Sequence, residues 1–537
     1  MFLYTIIFIS GGAILALELL ASRIMTPYFG VSLYIWTGIL SITLIALALG
    51  YWLGGKLAAG HASREPTLPR LLTLYLLMPA IAALAIVAAC LTYPHTFAAL
   101  ANWSLVSGAF AACLVLLFMP LLAASAMNPL LVAVQLRSRV DARAGDAGAG
   151  RVFFVSTLGS VAGVFVTAFG LIPYLSNFAA VLIVALVLAG LAAAAVIFTT
   201  QPVRNKGVVA AVALIAVLLA GALLWKADAY TGRLGPYVYS GVSWKLEASY
   251  SSLFGTVKVL RTATDPVSGR FMRMYFHDGL NQNVVDSSNR SISFYTYALE
   301  ALARAYQPDF KRVLVLGLGA GMVPMRLAQP GVSVEVVDID PNARRVAQAH
   351  FGYQTSRAIT HEADARTFLR TCKKGYDVVV VDLFHGDGTP DYLITREFFS
   401  DLRACLEPGG VAVFNTFADL KQPVTYAHLL TTLKTELPQL ALYRPAAPGA
   451  AHLNSFIVAA AQQLPAPRTV TLGDMPTAYQ STLWSMLASP LPLTSELFEG
   501  GRVITDAHGA TAQDFARMQV TYRRSVVQSV PPAMLMN

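Results

Sequence analysis

Seven apolar stretches, each about 20 residues long, precede residue 226 and constrain the fold of this chain more than any other feature. They lie at residues 2–20, 33–53, 71–91, 105–124, 152–172, 178–198 and 207–224. A helix needs roughly 20 apolar residues to cross a hydrocarbon core ~30 Å thick. Up to Lys226 the chain holds 11 Lys and Arg and only 4 Asp and Glu. We therefore predict a multi-pass α-helical membrane domain at residues 1–225.

The loops between these stretches carry positive charge in an alternating pattern. Lys and Arg occur in the loops after the second, fourth and sixth stretches and are absent after the third and fifth. Because cytoplasmic loops are enriched in Lys and Arg, the pattern places the amino terminus and the basic loops in the cytoplasm. The membrane thus explains the excess positive charge, and the second half shows no clustered basic groove for nucleic acid.

Seven crossings from a cytoplasmic start deliver the rest of the chain to the outside. A broken or re-entrant element at residues 119–136, which include Pro120, Asn128 and Pro129, would instead return it to the cytoplasm. Both alternatives stay open at this point.

Two features within the apolar stretches indicate polar contacts and close helix packing. Glu18 is an ionisable group near membrane depth, which is costly unless it is paired or faces a polar cavity. It fits a substrate or proton site and an ion pair between helices equally well, and Arg23 is expected to pair with a neighbouring helix. Gly159 and Gly163 form a GxxxG pair, which predicts close helix packing.

The four cysteines predict no covalent or metal framework. Cys90 and Cys113 lie in apolar stretches, and Cys372 and Cys405 lie in the second half. Because no CxxC or Cys/His spacing is present, we expect no metal and interpret the cysteines as small buried hydrophobic residues.

Beyond the membrane domain the pattern is that of a soluble α/β protein. Residues 226–290 combine a polar connector with alternating runs at 255–261 and 270–277, which predict a β-hairpin subdomain. Within residues 291–465, helical segments alternate with short apolar runs at 312–316, 334–337, 358–362, 376–381 and 411–415. This alternation predicts a doubly wound, Rossmann-like parallel sheet with its ligand at the carboxyl ends of the strands. Residues 466–537 form a C-terminal extension.

Residues at the ends of the predicted strands indicate a nucleoside site. The first strand runs into a turn with Gly317, Gly319 and Gly321, and such turns let the backbone approach a ligand. Asp338 ends the second strand, where an acid accepts ribose hydroxyls, and Asp364 follows the third, near an expected adenine amino group. Because no pyrophosphate-binding GxGxxG is present, the pattern favours an S-adenosylmethionine-type ligand over a dinucleotide.

The order of motifs across residues 245–420 resembles the aminopropyltransferases, the spermidine synthase family. The similar segments are 252–257 (SLFGTV), 277–282 (HDGLNQ), 317–321 (GLGAG), 338–340 (DID) and 364–365 (DA), with Asp382 at the catalytic aspartate. Residues 17–23 (LELLASR), 48–56 (ALGYWLGGK), 156–163 (STLGSVAG) and 382–398 are similar to bacterial membrane-fused spermidine synthase-like proteins.

The resemblance implies a role for individual residues. Asp382 would be the general base that takes a proton from the attacking amine. Gln282 and Ala365 would join the glycine-rich turn, Asp338 and Asp364 in binding the cofactor. Tyr295, His385 and Asp387 would lie in the substrate site.

The departures from the family fall on residues that define the substrate. Ala320 replaces an acid that holds the amine of decarboxylated S-adenosylmethionine, residues 295–297 (YTY) replace Tyr-His-Glu, and 382–385 (DLFH) replace Asp-Ser-Ser-Asp. Because buried ammonium groups need paired carboxylates, fewer acids survive than a putrescine site requires.

We therefore expect a membrane-bound spermidine synthase-like transferase that uses decarboxylated S-adenosylmethionine or S-adenosylmethionine to modify an amine or other nucleophile. A methyltransferase is the first alternative, and a non-catalytic nucleoside sensor or a transporter is the second. The expected acceptor is a small amine, a lipid or a peptide, a homodimer is a further expectation, and nucleic acid is not an expected partner. The resemblance implies the bacterial inner membrane, with the soluble domain placed in the cytoplasm because the cofactor is made there.

Overall fold

The computed structural model describes residues 2–30, 33–60, 66–103, 105–138, 145–233, 237–372, 375–383, 390–419, 423–445, 452–507 and 512–536. The chain divides into two compact units. One comprises residues 1–241 with 524–537, and the other comprises residues 242–523. The finer boundaries expected near residues 225, 290 and 465 stay predictions.

The first unit is built from long apolar helices. It contains α1 (Phe2–Phe29), α2 (Leu33–Ala59), α3 (Leu68–Ala101), α4 (Leu105–Cys113), α5 (Met119–Ser125), α6 (Met127–Arg137), α7 (Gly145–Val166), α8 (Asn177–Phe198), α9 (Lys206–Trp225), α10 (Ala227–Arg233), π-helical turns at Leu114–Phe118 and Thr167–Leu171, and strand β1 (Tyr237–Tyr239). Within the described ranges, seven helical segments are long and apolar enough to cross a membrane, judged by length and composition. The predicted number of such segments is confirmed. Residues 119–136 belong to one continuous helical stretch, Val106–Arg137, which is one of the seven.

Close helix packing in this unit depends on glycine. A Cβ atom on Gly159 would overlap the backbone of α1, and one on Gly163 would overlap the backbone of Gly12. The hydroxyl of Ser160 donates a hydrogen bond of 2.9 Å to the carbonyl oxygen of Gly11. The close packing predicted from the GxxxG pair is confirmed, and it joins α7 to α1.

Glu18 lies on α1 with its side chain partly buried. Its Oε1 atom is buried and has no hydrogen-bond partner among the residues that the structure describes. Both expectations for Glu18, a functional site and a pair between helices, therefore stay predictions, as does the partner expected for Arg23.

A small antiparallel sheet opens the second unit. Its strands β2 (Val242–Ser252), β3 (Gly255–Thr262), β4 (Met272–His277) and β5 (Leu280–Asp286) pair in sequence order. Asp265 holds the connection between β3 and β4, because its Oδ1 accepts the N–H groups of Val267 and Ser268 at 3.0 and 2.6 Å. The predicted β-hairpins are thus present.

The large sheet has seven strands in the order β11-β12-β10-β9-β6-β7-β8. These are β6 (Arg312–Leu316), β7 (Ser333–Asp338), β8 (Ile359–Glu362), β9 (Tyr376–Val381), β10 (Leu406–Asp419), β11 (Gln439–Tyr443) and β12 (His452–Ala460). The five neighbouring strands β8, β7, β6, β9 and β10 are parallel, as predicted. β12 pairs antiparallel with both β10 and β11, so the sheet is mixed and not wholly parallel as expected. Antiparallel edges of this kind are common on doubly wound sheets.

Apolar side chains cover both faces of this sheet. On β6, Val313 and Val315 join one buried cluster, and Leu314 and Leu316 join the other. A strand that is buried on both faces has a continuous apolar sequence. The remaining helical elements are α11 (Phe294–Tyr306), α12 (Met322–Leu327), α13 (Pro341–His350), α14 (Ala365–Thr371), α15 (Arg396–Cys405), α16 (Pro423–Glu436), α17 (Thr477–Ala488), α18 (Ala512–Ser529), α19 (Pro532–Leu535) and 3₁₀ turns at Asp391–Leu393 and Ser495–Phe498.

Two of the four cysteines are joined, contrary to the sequence-based interpretation. Cys372 follows α14, Cys405 ends α15, and the structure pairs them in a disulfide with their Cα atoms 5.8 Å apart. This Cα separation is typical of disulfides. Cys90 and Cys113 are unpaired and buried, as predicted.

Candidate active site

A cleft opens where β6 and β9 lie side by side in the large sheet. Along the chain, β7 and β8 extend the sheet to one side of β6, and β9 is then added on the other side. The direction in which strands are added therefore reverses between β6 and β9. Doubly wound sheets bind ligands at such a switch point, beyond the carboxyl ends of the strands. The cleft has a volume of about 350 Å³, which is within the range of small-molecule sites.

The glycine-rich turn after β6 forms one side of the cleft. Gly317 has a φ of +97°, and a Cβ atom there would overlap the carbonyl oxygen of Asp382. Gly321 precedes α12 with a φ of +77°, and a Cβ atom on it would press against the ring of Tyr353. Both positions therefore require glycine, and Gly317 and Gly319 line the cleft.

Two acids lie at the end of β7. The carboxylate of Asp338 accepts the N–H of Leu318 at its Oδ2 and the N–H of Asp340 at its Oδ1, each at 2.8 Å. Burial raises the pKa of Asp338, while these hydrogen bonds lower it. Asp340 accepts the N–H of Asn342 at 3.0 Å and caps α13. The carboxylate of Asp338 is thus held in a fixed orientation beside the glycine-rich turn.

Asp364 follows the third parallel strand and has protein partners on both oxygens. Its Oδ1 accepts the N–H of Thr367 at 2.8 Å, which caps α14. Its Oδ2 accepts the hydroxyl of Tyr392 at 3.1 Å, and burial together with this carboxylate raises the pKa of Tyr392 to about 12. The Thr367 hydroxyl also donates to Oδ1 at 3.0 Å, so Oδ2 is the oxygen that retains a second lone pair for a ligand. Ala365, the first residue of α14, lines the same wall.

Asp382 follows β9 directly and its side chain lines the cleft. Burial raises the pKa of its carboxyl from 3.8 to about 6, and a hydrogen bond from Asn415 opposes the rise. The bond joins Asn415 Nδ2 to Asp382 Oδ1 over 2.8 Å. General bases work best with a pKa near the operating pH. Asp382 is therefore a candidate for the general base of this cleft.

The small sheet and α11 supply the opposite wall, which includes Gln282 and Tyr295. The hydroxyl oxygen of Tyr295 accepts a hydrogen bond from Asn283 Nδ2 at 3.0 Å, and Asn283 Oδ1 accepts one from Ser291 at 3.1 Å. Burial and the nearby carboxylate of Asp382 raise the pKa of Tyr295. Tyr295 is therefore a neutral phenol whose hydrogen is available to a ligand.

The structure brings most of the predicted site residues to one cleft. Those that line it are Gln282, Tyr295, Gly317, Gly319, Asp338, Asp364, Ala365 and Asp382. Gly321 shapes the turn next to the cleft. His385 and Asp387 lie outside the described residues, so their substrate roles stay predictions.

Other lining residues were missed in the sequence. They are Phe254, Tyr275, His277, Leu318, Met322, Val323, Val337, Ile339, Asp340, Ala343, Ala363, Leu383, Pro390, Tyr392 and Leu393. Ala320, which the sequence comparison with the family singled out, also lines the cleft. Phe254 and His277 lie within the motifs at residues 252–257 and 277–282, and that membership was the available signal. Tyr392 lies within the similar segment at residues 382–398, but its hydrogen bond to Asp364 could not be predicted because the two residues are 28 positions apart along the chain.

Part of this chain is similar to known proteins. Residues 293–460 match the spermine/spermidine synthase domain. The chain is 34% identical over 142 residues to a polyamine aminopropyltransferase of Vibrio vulnificus, a match that covers 25% of this chain and 48% of that protein. It is 35% identical over 139 residues to an N-terminal histidine N-methyltransferase of Emericella nidulans, which covers 25% of each. The chain thus spans about half the length, or less, of these relatives.

A solved structure of a probable spermidine synthase from Corynebacterium glutamicum is also similar. It has 19% sequence identity to this chain and a TM-score of 0.37, over 51% of this chain and 94% of that one. At this identity the likeness concerns the fold alone.

Proposed function

We propose that this chain, a spermidine synthase-like protein by its match over residues 293–460, is a membrane-bound transferase. It moves a group from decarboxylated S-adenosylmethionine or S-adenosylmethionine to the nitrogen of an amine. The acceptor is a small amine, a lipid or a peptide. A homodimeric assembly stays a prediction.

The cleft fits a nucleoside through three of its features. The glycine-rich turn brings backbone next to the cleft at Gly317 and Gly319. The carboxylate of Asp338 is oriented by two backbone N–H groups and can accept ribose hydroxyls with its remaining lone pairs. Asp364 Oδ2 would accept a hydrogen bond from the amino group of the base with its remaining lone pair. These residues support the proposed cofactor site.

The placement of Asp382 is the observation that carries the proposed chemistry. A bound sulfonium supplies an electrophilic carbon, whose bond to sulfur breaks as the bond to nitrogen forms, with the electron pair leaving on sulfur. Asp382 accepts the proton that the attacking nitrogen loses. With a pKa of about 6, the carboxyl group is ionised at pH 7. This pKa is also close enough to the operating pH for the carboxylate to take that proton.

Methyl transfer is a second candidate because of Ala320. This residue lines the cleft and is 4% exposed. An acid at this position would repel the carboxylate of intact S-adenosylmethionine, whereas alanine does not. The same base and the same nucleoside site would then serve a methyltransferase.

We propose that the transferase domain faces the cytoplasm, where its donor is made. Two observations favour the opposite side. Seven apolar helices follow an amino terminus that the basic loops place in the cytoplasm, and disulfides such as Cys372–Cys405 persist in oxidising compartments. The labelling experiment described in the Discussion separates the two locations.

The test is a product analysis with the purified full-length protein. Each donor is incubated with mixed amines, lipids and peptides, and the nucleoside product is measured by mass. Methylthioadenosine identifies aminopropyl transfer, and S-adenosylhomocysteine identifies methyl transfer. The Asp382→Asn variant is the matched control, and formation of neither product while either donor binds would reject a transferase in favour of a sensor or transporter.

A further inference from the structure

Three neighbouring strands of the large sheet place a chain of side chains behind Asp382. β9 and β10 are parallel, and Val381 is aligned with Phe414. Asp382 follows Val381 and Asn415 follows Phe414, so these two side chains meet beyond the carboxyl end of β9. The amide of Asn415 donates to Asp382 Oδ1 over 2.8 Å, and the Asn415 side chain is buried.

Asn454 of β12 continues this chain of hydrogen bonds. Its Nδ2 donates to the Oδ1 of Asn415 over 2.9 Å. A side-chain amide has an acceptor end and a donor end. Because Asn454 occupies the acceptor end of Asn415, the donor end of Asn415 is directed at Asp382.

We propose that Asn415 is a positioning residue that holds the Asp382 carboxylate ionised and oriented for proton transfer, and that Asn454 fixes the direction of the Asn415 amide. The proposal rests on the role of Asp382 given above. Asn415 occupies Oδ1, so Oδ2 is the oxygen that takes the proton from the acceptor. Asn415 and Asn454 act through Asp382 and need no contact with either substrate.

The hydrogen bond also counteracts burial. Burial favours the neutral acid of Asp382, and the amide of Asn415 favours the ionised form. Tyr295 faces Asp382 from α11 and stays neutral, so it supplies no charge to replace the amide. Without Asn415 the pKa of Asp382 rises further, and the base is protonated over more of the working pH range.

The direct test is an infrared pH titration of the purified full-length protein. The carboxyl band of Asp382 is assigned by its loss in Asp382→Asn, and its titration midpoint is measured in Asn415→Leu and Asn454→Leu. Both variants are expected to move the midpoint upward, Asn415→Leu by more. Asn454→Leu leaves every contact of Asp382 in place and carries the test if Asn415→Leu does not fold.

Thr416→Val is the matched control. Thr416 is the next residue on β10, is buried, and donates its hydroxyl to the Ser455 carbonyl oxygen at 2.7 Å. Its loss removes a buried hydrogen bond between β10 and β12 without touching Asp382, so the midpoint should stay at the wild-type value. An unchanged midpoint in both Asn variants, or an equal rise in Thr416→Val, would overturn the proposal.

The pH profile of turnover adds a second measurement. At about pH 6 turnover of Asn415→Leu should fall by roughly tenfold, the effect expected for losing one charge-assisted hydrogen bond. Well above that pH the loss should be smaller, because the carboxylate is ionised again. The titration requires no turnover, so a protein inactive with both donors would reject the proposed function and still decide the role of Asn415.

Discussion

Replacing Asp382 by Asn should reduce activity and increase stability, and both effects should grow as the pH rises through about 6. Asn keeps the shape of the side chain and cannot take a proton, so turnover should fall by about 10²–10⁴-fold. The folded protein raises the pKa of Asp382 from 3.8 to about 6. Ionising this group in the folded state therefore costs about 3 kcal/mol at most, since each pKa unit is worth about 1.4 kcal/mol.

The sign of the pH effect follows from the raised pKa. Below an unfolded pKa of about 3.9 Asp382 is neutral in both states, and Asn should have little effect on stability. As the pH rises through 6 the wild type loses stability through this group and the variant does not. At pH 7 the variant should therefore melt several degrees higher, taking roughly 2–4 °C per kcal/mol.

Thermal melting of the detergent-solubilised protein across pH, together with product formation, checks both halves. Glu362→Gln is the control for stability, because Glu362 is an exposed acid on β8 that pairs with Arg344 at the surface. Full turnover in Asp382→Asn would reject the base. A melting temperature that is equal to the wild type at every pH would reject the raised pKa.

Three further predictions concern the cofactor, the membrane unit and its orientation. Asp338→Ala should weaken nucleoside binding by about 1–3 kcal/mol, because ribose hydroxyls lose their acceptor, and calorimetry that shows unchanged affinity would remove Asp338 from the site. Gly163→Leu should destabilise the membrane unit because its side chain meets the backbone of Gly12, whereas Gly190→Leu, with open space around it, should not; equal melting temperatures would contradict the packing. A cytoplasmic domain predicts that an impermeant thiol reagent labels neither a cysteine reporter in the 137–151 loop nor one near the carboxyl terminus in intact cells. Labelling of the carboxyl-terminal reporter alone would place the domain outside.

The sequence was sufficient to predict the elements whose signal is local. The run at residues 376–381 is apolar because β9 is buried on both faces, and its bounds match the structure. Gly317 and Asp338 were predictable because each directly follows or ends a short apolar run that marks a strand. The GxxxG pair likewise encodes a helix contact within five residues.

The parts that could not be predicted depend on residues distant in sequence. Asn415 and Asn454 look like ordinary polar residues, and only the pairing of β10 with β12 brings their amides together. The Cys372–Cys405 pair lies 33 residues apart with no recognisable spacing. β11 and β12 were missed because these two neighbouring antiparallel strands have no helix between them, so the alternation of strand and helix is lost there.

The Cys372–Cys405 bond closes a covalent ring around the reactive part of the chain. The ring contains β9, Asp382 and Tyr392. A crosslink that spans 33 residues lowers the conformational entropy of the unfolded chain, which stabilises the folded state by about 3–4 kcal/mol in the chain-entropy treatment. In a cytoplasmic domain, glutathione would keep the two thiols reduced, and the domain would lack that stabilisation. The free energy of unfolding of this domain would therefore depend on the redox state of the compartment that it occupies.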